Sequence, residues 1–253
     1  MVVESNQKKS PKQTDDRQSL VNHLEELRNR ILTSVVAIVV AAGLSFAWAG
    51  KIIELLKGLG GKSLPQLAFF SPPEAVLAYM KVALSAGLIL CMPILLYQVW
   101  SFIRPGLTSR EQRFGLAFVW WGTFLFLVGA AFAYWILLPV SLSFLLGFAE
   151  GTLTPVISIN RYLSFTTAII LACGGVFQLP LIVYLLTKMG LLTPQWLRKQ
   201  WRMAVMSMVV AAAIITPTTD AATMLLMTLP MLLLYEISIW ISAAASRKKE
   251  KVS

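Results

Sequence analysis

From residue 31 to residue 245 the chain is a succession of apolar runs, near 31–49, 75–103, 114–146, 161–187, 203–215 and 221–245, separated by short polar loops. A hydrocarbon layer about 30 Å thick takes roughly 20 apolar residues of helix to cross. Lipid offers no partner to an unpaired backbone group, so runs of this kind are confined to helices. Six transmembrane helices are the simplest count, and the expected fold is an all-α integral membrane protein. Composition agrees: 57% of residues are hydrophobic and 13% charged, about half the roughly 25% charge of an ordinary soluble domain.

Lys and Arg set the orientation, because short cytoplasmic loops retain them and translocated loops do not. Seventeen fall in the N-terminal tail, the loops 104–113 and 188–202 and the C-terminal tail, whereas Lys51, Lys57, Lys62 and Arg161 fall on the other side and Lys81 lies within the second run. Both termini are therefore expected in the cytoplasm, and the net charge of +10 reflects topology. Spread over four segments, these charges do not form the basic, aromatic-interleaved face of a nucleic-acid binder. Residues 1–18 are polar and read as a disordered tail, residues 19–245 as one membrane domain, and residues 246–253 as a basic cytoplasmic tail.

Prolines stand inside or at the ends of four runs, at Pro93, Pro139, Pro180 and Pro230. Each removes a backbone hydrogen bond and invites a kink, and bent helices enclose a concave cup. The fifth run, between Arg202 and Pro217, spans only about 20 Å at 1.5 Å per residue, which implies a thinned bilayer or water entry. Helix starts are marked by Ser71-Pro72-Pro73-Glu74, by Thr108-Ser109-Arg110-Glu111 and by Thr193-Pro194.

Enzyme signatures fail. Gly58-Leu59-Gly60-Gly61-Lys62-Ser63 ends like a phosphate-binding loop, but Leu56 stands where that pattern needs glycine. No zinc-protease motif, nucleophile elbow or intramembrane aspartate pair is present. With His23 alone and the two cysteines Cys91 and Cys173 in apolar runs, neither a metal cluster nor a disulfide framework is expected. No cofactor is expected either.

What remains is a sparse polar set: Glu26, Glu111, Gln178, Asp220 and Glu236. An ionisable group at bilayer depth is costly and so is a functional candidate. Glu236 could pair with a neighbour or face water; Gln178, beside Pro180, could face a polar cavity or bond the carbonyls the proline frees. Glu26 and Glu111 stand at the cytoplasmic border, where Glu26 could pair with Arg30 one turn on and Glu111 could cap a helix with Thr108.

His23-Leu24-Glu25-Glu26-Leu27-Arg28 resembles the N-terminal signature of the TatC family, the multispanning receptor subunit of the twin-arginine protein translocase. Further segments are similar to that family in the same order: Ser71-Pro72-Pro73-Glu74, Tyr97-Gln98-Val99-Trp100-Ser101-Phe102 leading into Pro105-Gly106-Leu107 and Glu111, Phe132-Ala133-Tyr134 before Pro139, Phe177-Gln178-Leu179-Pro180, Thr216-Pro217-Thr218-Thr219-Asp220 and Leu234-Tyr235-Glu236. The resemblance runs from about residue 19 to 245.

It implies a non-catalytic subunit that binds twin-arginine signal peptides. With single-span TatA- and TatB-type partners and other TatC copies, it would pass folded proteins across a bacterial plasma membrane or thylakoid on the proton-motive force. The family's arginine-reading surface falls on Glu26 and Glu111, with Phe102, Pro105 and Arg28 beside them. A carboxylate can accept a planar guanidinium bidentately, which a lysine ammonium cannot match. Gln178 takes a position where many members carry glutamate, so a proton relay there is not expected. Partner contacts fall on Met206, Thr216 and Asp220. The rival reading is a small-solute secondary transporter, although no paired halves with matching interruptions are present.

Overall fold

The computed structural model describes residues 11–59, 67–106, 111–147, 156–215 and 221–250. Five helices are long and apolar enough to cross a membrane, and a sixth, shorter one is also apolar. This gives a multi-pass, predominantly helical membrane protein.

The first span is α1 (Pro11–Phe46). It starts inside the stretch expected to be disordered, since its hydrogen bonds are internal and no helix breaker follows Pro11 until Gly43. A separate short helix, α2 (Ala49–Lys57), buries Ala49, Ile53 and Leu56. The second span is interrupted at Cys91, giving α3 (Pro72–Leu90) and α4 (Met92–Ile103); Pro93 lacks the N–H that would continue the ladder. In the third span α5 (Gly115–Phe132) passes through one π-helical turn, Ala133–Leu137, into α6 (Leu138–Gly147). That wider turn covers the residues whose carbonyls the Pro139 ring would otherwise meet.

The fourth span is α7 (Ile159–Val176) and α8 (Leu179–Lys188), parted at Phe177 and Gln178 just before Pro180. After the short α9 (Pro194–Lys199) comes α10 (Trp201–Ile215), whose 15 residues reach only about 22 Å, as its sequence implies. The last span, α11 (Ala221–Glu250), contains Pro230 without interruption, so this proline does not break its helix as the other three break or widen theirs.

Of the three expected start signals, one is met, one is met by another residue, and one falls outside the described residues. Thr193 caps α9 as expected, its hydroxyl accepting from the Trp196 N–H at 3.2 Å. Ser71 stands at the head of α3 but makes no side-chain cap bond; the work passes to Glu74, which accepts from the Phe70 N–H at 2.7 Å and from the Ser158 hydroxyl. Residues 107–110 and the Glu111 side chain, and with them the Thr108 capping box, lie outside the described residues.

α1 packs on α3 and α4, α3 on α7, α7 on α5, and α5 on α4, while α8 turns instead to α11, which also carries α10. The α1–α3 seam depends on Gly87, where an added Cβ would come within 2.5 Å of the Ala42 backbone nitrogen. Leu137, Leu138, Leu163, Ile169, Met227 and Ile239 are fully buried between these helices. By contrast Val35, Val36, Val39, Val40 and Leu44 are exposed along α1, which suits hydrocarbon as the solvent.

Because successive spans run in opposite directions, the start of α1, the ends of α4 and α8 and the end of α11 fall on one face of the molecule, here called the basic face. On the opposite face two loops are joined by a two-residue parallel ladder between β1 (Leu67–Ala68) and β2 (Ile157–Ser158), with Leu67 beside Ile157 and Ala68 beside Ser158. The end of α2 is fixed there too: the Leu55 carbonyl accepts from the Tyr134 hydroxyl at 3.2 Å and the Leu56 carbonyl from Tyr162 at 2.6 Å.

Candidate functional site

On the basic face a shallow hollow is lined by Glu25, Glu26, Asn29, Arg30, Thr33 and Gln98. Spacing creates it: Glu26 and Arg30 are one turn apart on α1, and α4 packs against α1, bringing Gln98 to the same spot. Arg30 donates to Glu26 Oε1 from Nε at 2.9 Å and also from Nη2, and from Nη1 to Gln98 Oε1 at 3.3 Å. One guanidinium therefore lies between a carboxylate and an amide oxygen. Glu26 and Arg30 remain 35% and 23% exposed. Such a pair is worth only about 0.3–0.5 kcal/mol and can open.

The neighbouring loop continues this surface. Phe102, half-buried, stands in the last turn of α4, and the 3₁₀ turn Arg104–Gly106 presents Pro105 to solvent. Arg104 and Gln112 tie the two ends of the loop together: Arg104 Nε donates to Gln112 Oε1 and Gln112 Nε2 to the Arg104 carbonyl, both at 3.3 Å. Glu111 precedes Gln112 at the start of the 3₁₀ segment Glu111–Phe114. Arg28 is exposed and, two residues past Glu26, points about 200° away round α1, so it does not share the hollow.

The other sequence candidates lie apart. Gln178 is buried, and its Nε2 donates at 2.8 Å to the Gly122 carbonyl of α5, while its Oε1 has no partner among the described residues. It thus bonds a neighbouring helix rather than the carbonyls freed by Pro180. Glu236 is half-buried and makes no hydrogen bond or ion pair among the described residues. Met206 is exposed on α10, and Thr216 and Asp220 lie outside the described residues. Among the described residues no group of His, Cys, Asp and Glu could hold a metal ion.

Sequence reasoning named Arg30 only as a helix-pair partner and gave Gln98 no role; nothing in either residue's local spacing signals that α4 brings them together. On the opposite face it also missed a polar tie. Lys81 Nζ, on α3, donates at 2.7 Å to both Asn160 Oδ1 and Ser164 Oγ of α7. A lysine inside an apolar run was the available signal.

The family described as Sec-independent protein translocase protein (TatC) matches residues 22–230. The chain is similar to the Sec-independent protein translocase protein TatC of Aquifex aeolicus (strain VF5), 39% identical over 92% of this chain and 98% of that protein. It is likewise similar to the protein of the same name from Halalkalibacterium halodurans, 40% identical over 92% of each chain. A crystal structure described as the twin arginine translocase receptor TatC superposes with a TM-score of 0.79 at 38% identity, covering 88% of this chain and 99% of that one.

Proposed function

Because the chain belongs to the TatC family and is thus a subunit of a Sec-independent protein translocase, we propose that its basic face is a receptor for twin-arginine signal peptides. Glu26 and Glu111 each accept one signal arginine, with Phe102 and Pro105 forming the adjoining surface; Arg28, turned away round α1, is outside it. The observation that carries this reading is the seat of Arg30. A planar guanidinium already fits between the Glu26 carboxylate and Gln98, held by a pair weak enough to exchange.

The remaining assignments rest on family membership and on charge. The seventeen Lys and Arg of the two tails and of the loops 104–113 and 188–202 favour both termini lying in the cytoplasm or stroma. The membrane domain covers residues 19–245, with polar tails of residues 1–18 and 246–253. The subunit is not an enzyme: it binds cargo signals and works with TatA- and TatB-type single-span subunits and other TatC copies, using the proton-motive force to pass folded proteins. The short α10, with Met206 exposed and Thr216 and Asp220 following it in sequence, is the partner-docking edge. Gln178 and Glu236 are intramembrane polar positions; glutamine cannot titrate, so Gln178 carries no proton. The small-solute transporter reading is not favoured, since family membership speaks against it.

Photocrosslinking tests the receptor assignment. Probes at Asn29 and Thr33 should capture an Arg-Arg signal peptide, capture a Lys-Lys peptide poorly, and lose the Arg-Arg adduct with Glu111→Gln. Adducts indifferent to both changes would overturn the assignment of these two glutamates.

A further inference from the structure

The break before Pro180 does more than bend the fourth span. Beyond it α8 follows α11, to which it is bonded through the Thr187 and Ser242 hydroxyls at 2.8 Å, and so leaves α5. Helix α5 stays with α4, where the Trp100 and Phe118 rings lie 4.9 Å apart. A wedge opens between α5 and α8 toward the basic face. Its narrow end lies beside the Gln178–Gly122 bond, at a point where a Cβ on Gly122 would sit 2.8 Å from the Leu181 side chain.

The cavity in this wedge has a volume of about 370 Å³ and is walled by Trp100, Phe118, Trp121, Pro180, Leu181 and Tyr184 among others. Among the described residues its one charged wall residue is Lys188, whose ammonium lies 5.9 Å from the centre of the Tyr184 ring. Exposed Arg113 adjoins Phe114, another wall residue. The site is a slot for one flexible apolar chain with positive charge at the mouth. Basic pockets between transmembrane helices on the cytoplasmic side are suited to anionic headgroups.

Two facts choose the occupant. A twin-arginine peptide carries the same sign of charge as Lys188. The slot also lies across α4 from the arginine-reading hollow, since Gln98 faces α1 while Trp100, two residues on, faces α5. We propose that the α5–α8 cleft holds one acyl chain of an anionic phospholipid, with its headgroup phosphate on the Lys188 ammonium. This site is independent of the receptor reading. It would fix the angle between the two halves of the molecule, because filling the wedge sets how far α8 stands from α5.

The test is lipid retention by the full-length chain, purified in detergent and examined by native mass spectrometry with phosphatidylglycerol or phosphatidylcholine. The native protein should retain phosphatidylglycerol preferentially. Lys188→Gln should remove that preference, about fivefold for one basic group at an anionic headgroup. Ala117→Phe, which fills the slot from an exposed wall position, should remove bound lipid of both kinds. Retention of phosphatidylglycerol unchanged in both variants would overturn the proposal. So would an Ala117→Phe protein that keeps its lipid but binds signal peptide more weakly, since the slot would then belong to the peptide.

Discussion

Glu26 and Glu74 are both carboxylates at the head of a membrane span, on opposite faces of the molecule, and they are held in different ways. Glu74 is buried and accepts from a backbone N–H outside its helix and from Ser158, 84 positions along the chain. It joins the starts of α3 and α7, and no incoming ligand could claim it without separating them. Glu26 is about one-third exposed and is held by Arg30, a side chain of its own helix. Its partner can leave without any helix moving. A carboxylate held by backbone and by distant chain is structural, whereas one held by a local, exchangeable guanidinium is available for recognition.

The largest effect should come from the structural carboxylate. Glu74→Ala removes the acceptor for two donors on different segments, so little folded protein should survive extraction and chromatography in detergent; a normal yield and melting temperature would erase the contrast. Next comes Glu26→Gln. It should leave the melting temperature nearly unchanged, the pair being worth about 0.3–0.5 kcal/mol, while affinity for an Arg-Arg signal peptide falls by about tenfold or more, as expected for a lost charge-assisted bond.

Tyr162→Phe sharpens the picture of the opposite face. Losing the bond to the Leu56 carbonyl should cost about 1 kcal/mol of stability, visible in thermal unfolding, with no change in peptide affinity. The smallest effect should be that of Arg30→Gln. Vacating the seat beside Glu26 and removing a like charge should raise peptide affinity by about twofold to fivefold, the scale of an exposed ion pair. A fall in affinity would instead make Arg30 part of the binding surface.

The span count, the short α10 and the Thr193 cap were legible because each depends on local chemistry: apolar length, a cap residue, a proline. Local too was the Glu26–Arg30 pair, one helical turn apart. Pro230 shows where such reading stops, since an interior proline breaks a helix or is absorbed by it according to the packing around it. Ser71 and Glu74 show the same limit. Their spacing marked a helix start correctly, but the bond went to Ser158, which only the fold brings near. Gln98 and Lys81 were missed for that reason, as their partners are 68, 79 and 83 positions away. Gln178 was singled out by its place in an apolar run, yet its bond to Gly122 required the course of α5 to be known.

The most direct measurement is a double-mutant cycle on peptide affinity, with native protein and Glu26→Gln each titrated with Arg-Arg and Lys-Lys signal peptides. If Glu26 reads a guanidinium, changing both arginines to lysine should cost about tenfold or more beyond what it costs on the variant, where Glu111 alone still discriminates. An equal penalty on both proteins would contradict the assignment and leave Glu26 as a helix-surface partner of Arg30.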